Sequence, residues 1–154
     1  MTLSDAAKLR VESEGPDETI SIGEQLAEKL QAGDVVAIYG ELGSGKTQLV
    51  KGICRYFGID EQSVSSPTFT IIHEYDGSLP VYHLDLYRIQ RIEEVIDIGF
   101  SEYVYGDGIC LIEWPDIVSS MLPEHTLCLR ISHLQGNRRL LVREKAILRN
   151  QPDD

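Results

Sequence analysis

The 154-residue chain lacks any apolar run close to the roughly 18 residues needed to span a bilayer. Its first residues, Met1 to Asp5, lack a basic segment followed by an apolar stretch, so no secretory signal is predicted. Basic residues are also scarce, because 14 Lys and Arg stand against 25 Asp and Glu and the formal net charge is −11. A surface with this much negative charge repels the phosphate backbone of nucleic acids. We therefore expect no membrane association and no stable direct contact with nucleic acid, and we expect a protein partner with a basic patch.

Cysteine is sparse as well, with only Cys54, Cys110 and Cys128 in the chain. The number is odd, no two are close in sequence, and each lies within an apolar stretch, which is typical of buried, reduced thiols. Reduced thiols indicate a cytoplasmic protein. With 42% apolar and 25% charged residues, no repeat and no break in composition, residues 1–154 are predicted to form one domain, with a flexible tail from about residue 145.

Apolar patterning predicts an alternation of strands and helices. An edge strand is expected at residues 8–13, and a helix at 21–30 with a capping box formed by Ser21 and Glu24. A second helix is expected at 47–57, and a third at 92–105 that is interrupted at Gly99. Two continuous apolar runs, 35–39 and 108–112, predict strands buried on both faces. Hairpins are expected from strands at 68–75 and 81–87 and from strands at 126–133 and 139–143.

A glycine-rich loop follows the first buried run directly and reads Gly40-Glu41-Leu42-Gly43-Ser44-Gly45-Lys46-Thr47. In such a loop glycine lets the backbone curl, so that successive N–H groups converge on phosphates at the N-terminus of the next helix. We expect Lys46 to reach the β- and γ-phosphates and Thr47 to offer its hydroxyl to Mg²⁺. The loop therefore predicts binding of a nucleoside triphosphate, ATP with Mg²⁺.

Two carboxylates follow apolar runs at the position where open α/β sheets hold their ligands. Asp85 follows residues 81–84, and Glu113 follows residues 109–112. One of them would hold Mg²⁺, directly or through water, and the other would orient or activate the attacking water. The residues themselves leave open which carboxylate takes which role.

The remaining signals say less about function. The chain has no Asn-Lys-x-Asp element of the guanine-reading type, which favours adenine as the base. His73, His83, His125 and His133 have no metal-binding spacing, so structural roles are expected for them. Trp114 fits either the core or a partner surface. The hydroxyl-rich segment Ser65 to Thr70 fits either a loop that closes over the γ-phosphate or a polar lead-in to a strand.

Taken together, several blocks of the sequence resemble the TsaE family (older name YjeE), bacterial ATPases needed for threonylcarbamoyladenosine modification of tRNA. The resemblance runs from about residue 18 to about residue 139. Besides the glycine loop, it rests on these blocks: Glu18-Thr19, Gly23-Glu24-Gln25-Leu26-Ala27, Ser66-Pro67-Thr68-Phe69-Thr70, His83-Leu84-Asp85-Leu86-Tyr87-Arg88, Glu113-Trp114-Pro115 and Gly136-Asn137-Arg138-Arg139.

The resemblance implies an α/β fold of the P-loop NTPase type, a three-layer sandwich whose mostly parallel sheet carries antiparallel additions. It implies that Thr47 and Glu113 are Mg²⁺ ligands with Asp85 close by, and that Thr68 belongs to a mobile loop. Thr19 would lie near the adenine end of the nucleotide together with an arginine of the 138–139 pair, for which we take Arg138. The family acts with TsaB and TsaD, which carry out the transfer to tRNA, and its ATP hydrolysis resets their complex.

Two alternatives remain open at this point. Small-molecule kinases have a similar size and loop, but a kinase usually closes an arginine-rich lid over its acceptor, and residues 92–105 contain no Arg or Lys. The protein could instead be a nucleotide-gated binding module in which hydrolysis is incidental. The sequence does not separate this module from a partner-dependent ATPase.

Overall fold

A seven-stranded sheet organises the chain in the computed structural model, which describes residues 9–65 and 71–144. In spatial order the strands run β1-β7-β6-β2-β5-β4-β3. The four central strands, β6, β2, β5 and β4, are parallel, and β1, β7 and β3 pair antiparallel at the two sides. The strands are β1 Arg10–Ser13, β2 Val35–Tyr39, β3 Ile72–Asp76, β4 Pro80–Asp85, β5 Ile109–Glu113, β6 Leu127–His133 and β7 Arg139–Glu144.

Helices cover both faces of the sheet, which gives the predicted three-layer sandwich. Helices α1 and α2 pack on one face, where the core includes Leu49, Ile53 and Leu111. The short helices α3 and α4 pack on the other face, around Val95 and Phe100. The helical segments are α1 Pro16–Ala27, α2 Lys46–Tyr56, α3 Ile92–Asp97 and α4 Phe100–Val104, with 3-10 turns at Glu61–Ser63 and Pro115–Met121. No helix in the described ranges is long and apolar enough to cross a bilayer.

The two apolar runs form the centre of the sheet, as predicted. All five residues of β2 and all five of β5 are buried, because helices lie above and below them. The hairpin of β6 and β7 and the break of the third helix at Gly99, whose φ is +81°, are confirmed as well.

The prediction of buried, unpaired thiols is confirmed, because all three cysteines are free and buried.

The predicted start of the first helix is wrong. We expected it to begin at Ser21, but α1 begins at Pro16 and ends at Ala27. Proline is favoured in the first helical turn, and Asp17 and Glu18 stabilise that turn through the helix dipole. Ser21 therefore lies inside the helix and caps nothing.

Strand β4 ends at Asp85, two residues earlier than expected. The Asp85 carboxylate accepts a hydrogen bond from the N–H of Tyr87 at 3.0 Å, a local turn that diverts the chain from the strand direction. The N–H of Leu86 still bonds to the carbonyl of Glu113. The start of the strand expected at 68–75 and the tail from about 145 lie outside the described residues, and the described part of that strand is β3.

Helices α1 and α2 approach each other closely through two glycines. A Cβ at Gly23 would lie 2.5 Å from the carbonyl oxygen of Leu49, and one at Gly52 would overlap the carbonyl oxygen of Ile20. Because α2 begins in the glycine loop, this contact fixes the loop relative to α1.

Candidate functional site

The glycine loop connects the buried strand β2 to helix α2. Gly40, Gly43 and Gly45 have φ values of +155°, +77° and +106°, in the region that favours glycine. At Gly40 a side chain would also lie 2.5 Å from the carbonyl oxygen of Ile131. Gly45 is the N-cap of α2 and supplies no side-chain cap, while the first-turn amides of any helix lack carbonyl partners within the helix. The loop therefore presents a helix N-terminus to an anion.

Lys46 is held inside the loop by neutral acceptors. Its Nζ donates to the carbonyls of Gly40 at 2.7 Å and Glu41 at 2.8 Å, and it lies 4.1 Å from the ring centroid of Trp114. The side chain is only 5% exposed, and this burial lowers the pKa of Lys46, although the carboxylates of Glu113 and Asp85 act in the opposite direction. These acceptors carry no charge, so the positive charge of Lys46 remains available to pair with a phosphate at this position.

Glu113 connects the loop to the sheet. The hydroxyl of Thr47 donates to its carboxylate, with Oγ1 3.2 Å from Oε1 and 3.4 Å from Oε2. On its other side, Nε2 of His83 lies 2.5 Å from Oε2. Glu113 is almost completely buried, and all three side chains come from different elements.

Asp85 lies directly beside Glu113. The two residues are register partners in the parallel pair of β4 and β5, at the carboxyl ends of both strands. Side chains two residues apart on a strand share a face, so Asp85 is on the same side of the sheet as His83. Asp85 is partly exposed, whereas Glu113 is not.

The donor set of this site fits Mg²⁺. The described ranges contain no group of three or more His, Cys, Asp and Glu side chains that could hold a metal. Mg²⁺ does not require one, because it is usually bound by one or two carboxylates together with waters and substrate phosphates. Hard oxygen donors from Thr47 and Glu113, beside the glycine loop, match that preference.

A cleft of about 340 Å³ opens above the loop, within the range of small-molecule sites. A second, smaller cavity of about 30 Å³ shares four of its lining residues and reaches Thr19 and Asn137. Thr19 is buried, with Oγ1 2.7 Å from Oγ of Ser13. The cleft is lined by Pro16, Leu42, Gly43, Gly45, Lys46, Thr47, Gln48, Glu113, Trp114 and Arg139.

The two adjacent arginines have different surroundings. Arg138 pairs with Glu12 at 2.5 Å and is absent from the lining of both cavities. Arg139 lines both cavities, and its guanidinium donates to the carbonyls of Ser44 at 2.9 Å and Gly43 at 3.3 Å. The sequence predicts that an arginine of this pair lies near the nucleotide, but no pattern in it distinguishes Arg139 from Arg138.

Sequence reasoning did not place two further residues at the site. His83 was expected to have a structural role, yet it contacts Glu113, and its position two residues before Asp85 was the available signal. Trp114 has a φ of +56° and is the one non-glycine residue with positive φ among those described. Its ring packs against Tyr87, with ring centroids 4.8 Å apart. Thr68, and with it the expected mobile loop, lies outside the described residues.

A glycine loop between a central parallel strand and a helix, with acidic side chains at the ends of neighbouring strands, defines an α/β protein of the P-loop class. Comparison with known proteins agrees. Residues 13–141 match the family model described as threonylcarbamoyl adenosine biosynthesis protein TsaE. The chain belongs to the TsaE family.

Individual relatives are similar over most of their length. The chain is 42% identical to the tRNA threonylcarbamoyladenosine biosynthesis protein TsaE of Treponema pallidum over 135 residues, covering 87% of this chain and 99% of the relative. It is 41% identical to the protein of the same name from Bacillus subtilis over 133 residues, covering 86% and 82%. The crystal structure of Bacillus subtilis YdiB superposes with a TM-score of 0.74 at 34% identity, covering 90% of this chain and 86% of that one.

Proposed function

We propose that this protein is a Mg²⁺-dependent ATPase of tRNA threonylcarbamoyladenosine biosynthesis that acts on the complex of TsaB and TsaD and resets it by hydrolysing ATP. The observation that carries the proposal is the cluster of Lys46, Thr47 and Glu113 at one end of the glycine loop. Membership of the TsaE family supports the pathway, since the matching relatives are named for it.

Nucleotide binding rests on the loop and its cleft. The curled backbone from Glu41 to Gly45 and the N-terminus of α2 would surround the phosphates, with Lys46 as the cationic partner. The cleft of about 340 Å³ would hold the nucleotide, with Thr19 in the neighbouring cavity of about 30 Å³ that shares four of its lining residues. Arg139, which also lines the cleft, supports the loop by donating hydrogen bonds to two of its carbonyls.

Metal binding and hydrolysis rest on the oxygen donors. Thr47 and Glu113 would hold Mg²⁺, which when bound neutralises phosphate charge. Asp85 lies next to Glu113 and is more exposed, so it is the carboxylate better placed to orient a water molecule. The buried Glu113 is the better placed of the two to contact the hydroxyl of Thr47.

The partner argument rests on charge. A formal net charge of −11 disfavours direct binding of tRNA, so ATP hydrolysis would act on proteins in the cytoplasm that hold the tRNA.

A kinase function is less well supported, because α3 and α4 do not form a lid over the cleft. Val95 and Phe100 pack them into the core on the opposite face of the sheet from α1 and α2.

Phosphate release, measured with and without TsaB and TsaD, tests the proposal. We expect weak release from the protein alone, stimulation by the pair, and loss of both in Lys46→Ala. Full activity of Lys46→Ala would exclude the loop as the site of hydrolysis. Transfer of labelled phosphate to a metabolite, with no release to water, would support the kinase. Unchanged affinity for the pair in the presence of ADP or ATP would exclude a nucleotide-gated binding module.

A further inference from the structure

His83 makes a contact that packing alone does not require. Its ring is fully buried on β4, and Nε2 lies 2.5 Å from Oε2 of Glu113 on the neighbouring strand. We infer that His83 is a positioning residue that holds the carboxylate of Glu113 in the orientation needed to bind Mg²⁺ together with Thr47. This inference rests on the proposed function, since it assigns Glu113 to the metal.

His83 and Thr47 contact the carboxylate of Glu113 differently, although the Thr47 hydroxyl is within hydrogen-bond distance of both oxygens. Oε2 is the one that His83 contacts, whereas Oε1 is the nearer of the two to the hydroxyl of Thr47. A carboxylate held at one oxygen by a donor cannot rotate freely about its last bond. Partners that orient ligands in this way are a common feature of metal sites, and their loss typically weakens metal affinity about 10- to 100-fold.

The surroundings of the ring also indicate which nitrogen carries the proton. Within the described part of the chain, Nδ1 of His83 is buried and has no hydrogen-bond partner. A proton on Nδ1 would be a buried donor without an acceptor, which is costly, whereas a lone pair there costs less. We therefore assign the proton to Nε2, where it is donated to Glu113.

The His83 ring has a second contact, with Tyr75 of β3, the strand paired with β4. The ring of Tyr75 stacks on His83 with centroids 6.4 Å apart and an angle of 30° between the planes. The Tyr75 hydroxyl lies 3.1 Å from Nδ1 of His73. Because both His83 and Glu113 lie on central strands of a rigid sheet, their contact is built into the register of β4 and β5.

Two substitutions separate this role from simple packing. In His83→Gln the side-chain amide nitrogen can reach the position of Nε2 and donate to Glu113, whereas in His83→Asn it can reach only the position of Nδ1. His73→Asn is the matched control, since His73 lies opposite His83 on the paired strand. The measurement is the Kd for the non-hydrolysable analogue AMP-PNP by calorimetry, with Mg²⁺ and with EDTA.

We expect Mg²⁺ to tighten AMP-PNP binding to the parent, His83→Gln and His73→Asn. In His83→Asn this gain should fall by about 10- to 100-fold, with the Kd in EDTA unchanged. A full Mg²⁺ gain in His83→Asn would overturn the inference, and so would an equal loss in His83→Gln and His83→Asn. A parent that binds no AMP-PNP under either condition would instead overturn the proposed function.

A second measurement needs no variant and so does not depend on whether His83→Asn folds. In ¹⁵N-labelled parent protein at neutral pH, the imidazole nitrogen shifts of His83 report which nitrogen carries the proton. A proton on Nε2 supports the inference. A proton on Nδ1 alone would overturn it, because Nε2 would then carry only a lone pair and could not donate to Glu113.

Discussion

The hydroxyl of Thr47 lies 3.2 Å from Oε1 of Glu113, so the first turn of α2 and the end of β5 meet at one point of the sheet. The two residues are far apart in the chain and come together because β2 and β5 are neighbouring parallel strands. The contact joins the glycine loop to the strand end that carries Glu113 and, beside it, Asp85.

The first prediction concerns the two carboxylates. Glu113→Gln should weaken Mg²⁺-dependent nucleotide binding more than Asp85→Asn, because only Glu113 is buried against the Thr47 hydroxyl. Asp85→Asn should affect phosphate release more than it affects Mg²⁺ affinity. Mg²⁺ titrations in the presence of nucleotide measure the first effect, and release assays measure the second. Equal Mg²⁺ affinity in Glu113→Gln and the parent would contradict the assignment.

The second prediction distinguishes the adjacent arginines. Arg139→Ala should weaken nucleotide binding about tenfold or more, because the loop carbonyls of Gly43 and Ser44 lose their charged donor. Arg138→Ala should change it little, since Arg138 is in an exposed ion pair with Glu12. Calorimetric titration of both variants with ATP is the test. A larger loss of ATP affinity in Arg138→Ala than in Arg139→Ala would contradict this prediction and support Arg138, the residue predicted from the sequence.

The third prediction concerns the contact between α1 and α2. Gly52→Ala should lower the free energy of unfolding by about 1–3 kcal/mol or more, because the new methyl overlaps the carbonyl oxygen of Ile20. Ser21→Ala is the control, since Ser21 is exposed and lies within α1 away from this contact. Urea unfolding measures both variants. Equal stability would mean that the helices can move apart at little cost.

The fourth prediction concerns the buried thiols. Burial raises the pKa of Cys54 and of Cys110 to about 12, above their ordinary value of 9.0. The folded state therefore keeps these protons when the unfolded chain has lost them. The stability they contribute is present below pH 9 and is lost as the pH rises towards 12, by up to about 1.4 kcal/mol per pH unit for each thiol.

Urea unfolding at several pH values above 9 measures this slope. Cys54→Ala should show a shallower decline than the parent, because one of the thiols no longer contributes. Identical slopes in the two proteins would show that Cys54 does not titrate differently in the folded and unfolded states.

Local patterns in the sequence were sufficient for much of the fold. The buried strands at 35–39 and 109–113 and the glycine loop between strand and helix follow from residues that are close together in the chain. The break at Gly99 follows in the same way. The predicted start of α1 is wrong because Pro16 and the acidic first turn begin the helix ahead of the capping pattern at Ser21.

The contacts of the site were harder to predict because they depend on strand register. The sequence placed Asp85 and Glu113 at strand ends, but it did not bring His83 to Glu113, which requires β4 and β5 to be neighbours in a defined alignment. The choice of Arg139 over Arg138 likewise depends on how the hairpin of β6 and β7 lies against the loop.

Calorimetric titration with ATP in the presence of Mg²⁺ tests the central claim, that the loop from Gly40 to Thr47 is a nucleotide site. The proteins to compare are the parent, Lys46→Ala and Lys51→Ala, which removes a lysine from the same helix outside the cleft lining. We predict saturable binding to the parent and Lys51→Ala and a loss of at least about tenfold in Lys46→Ala. Absence of binding to the parent, or equal affinity in Lys46→Ala, would contradict the account.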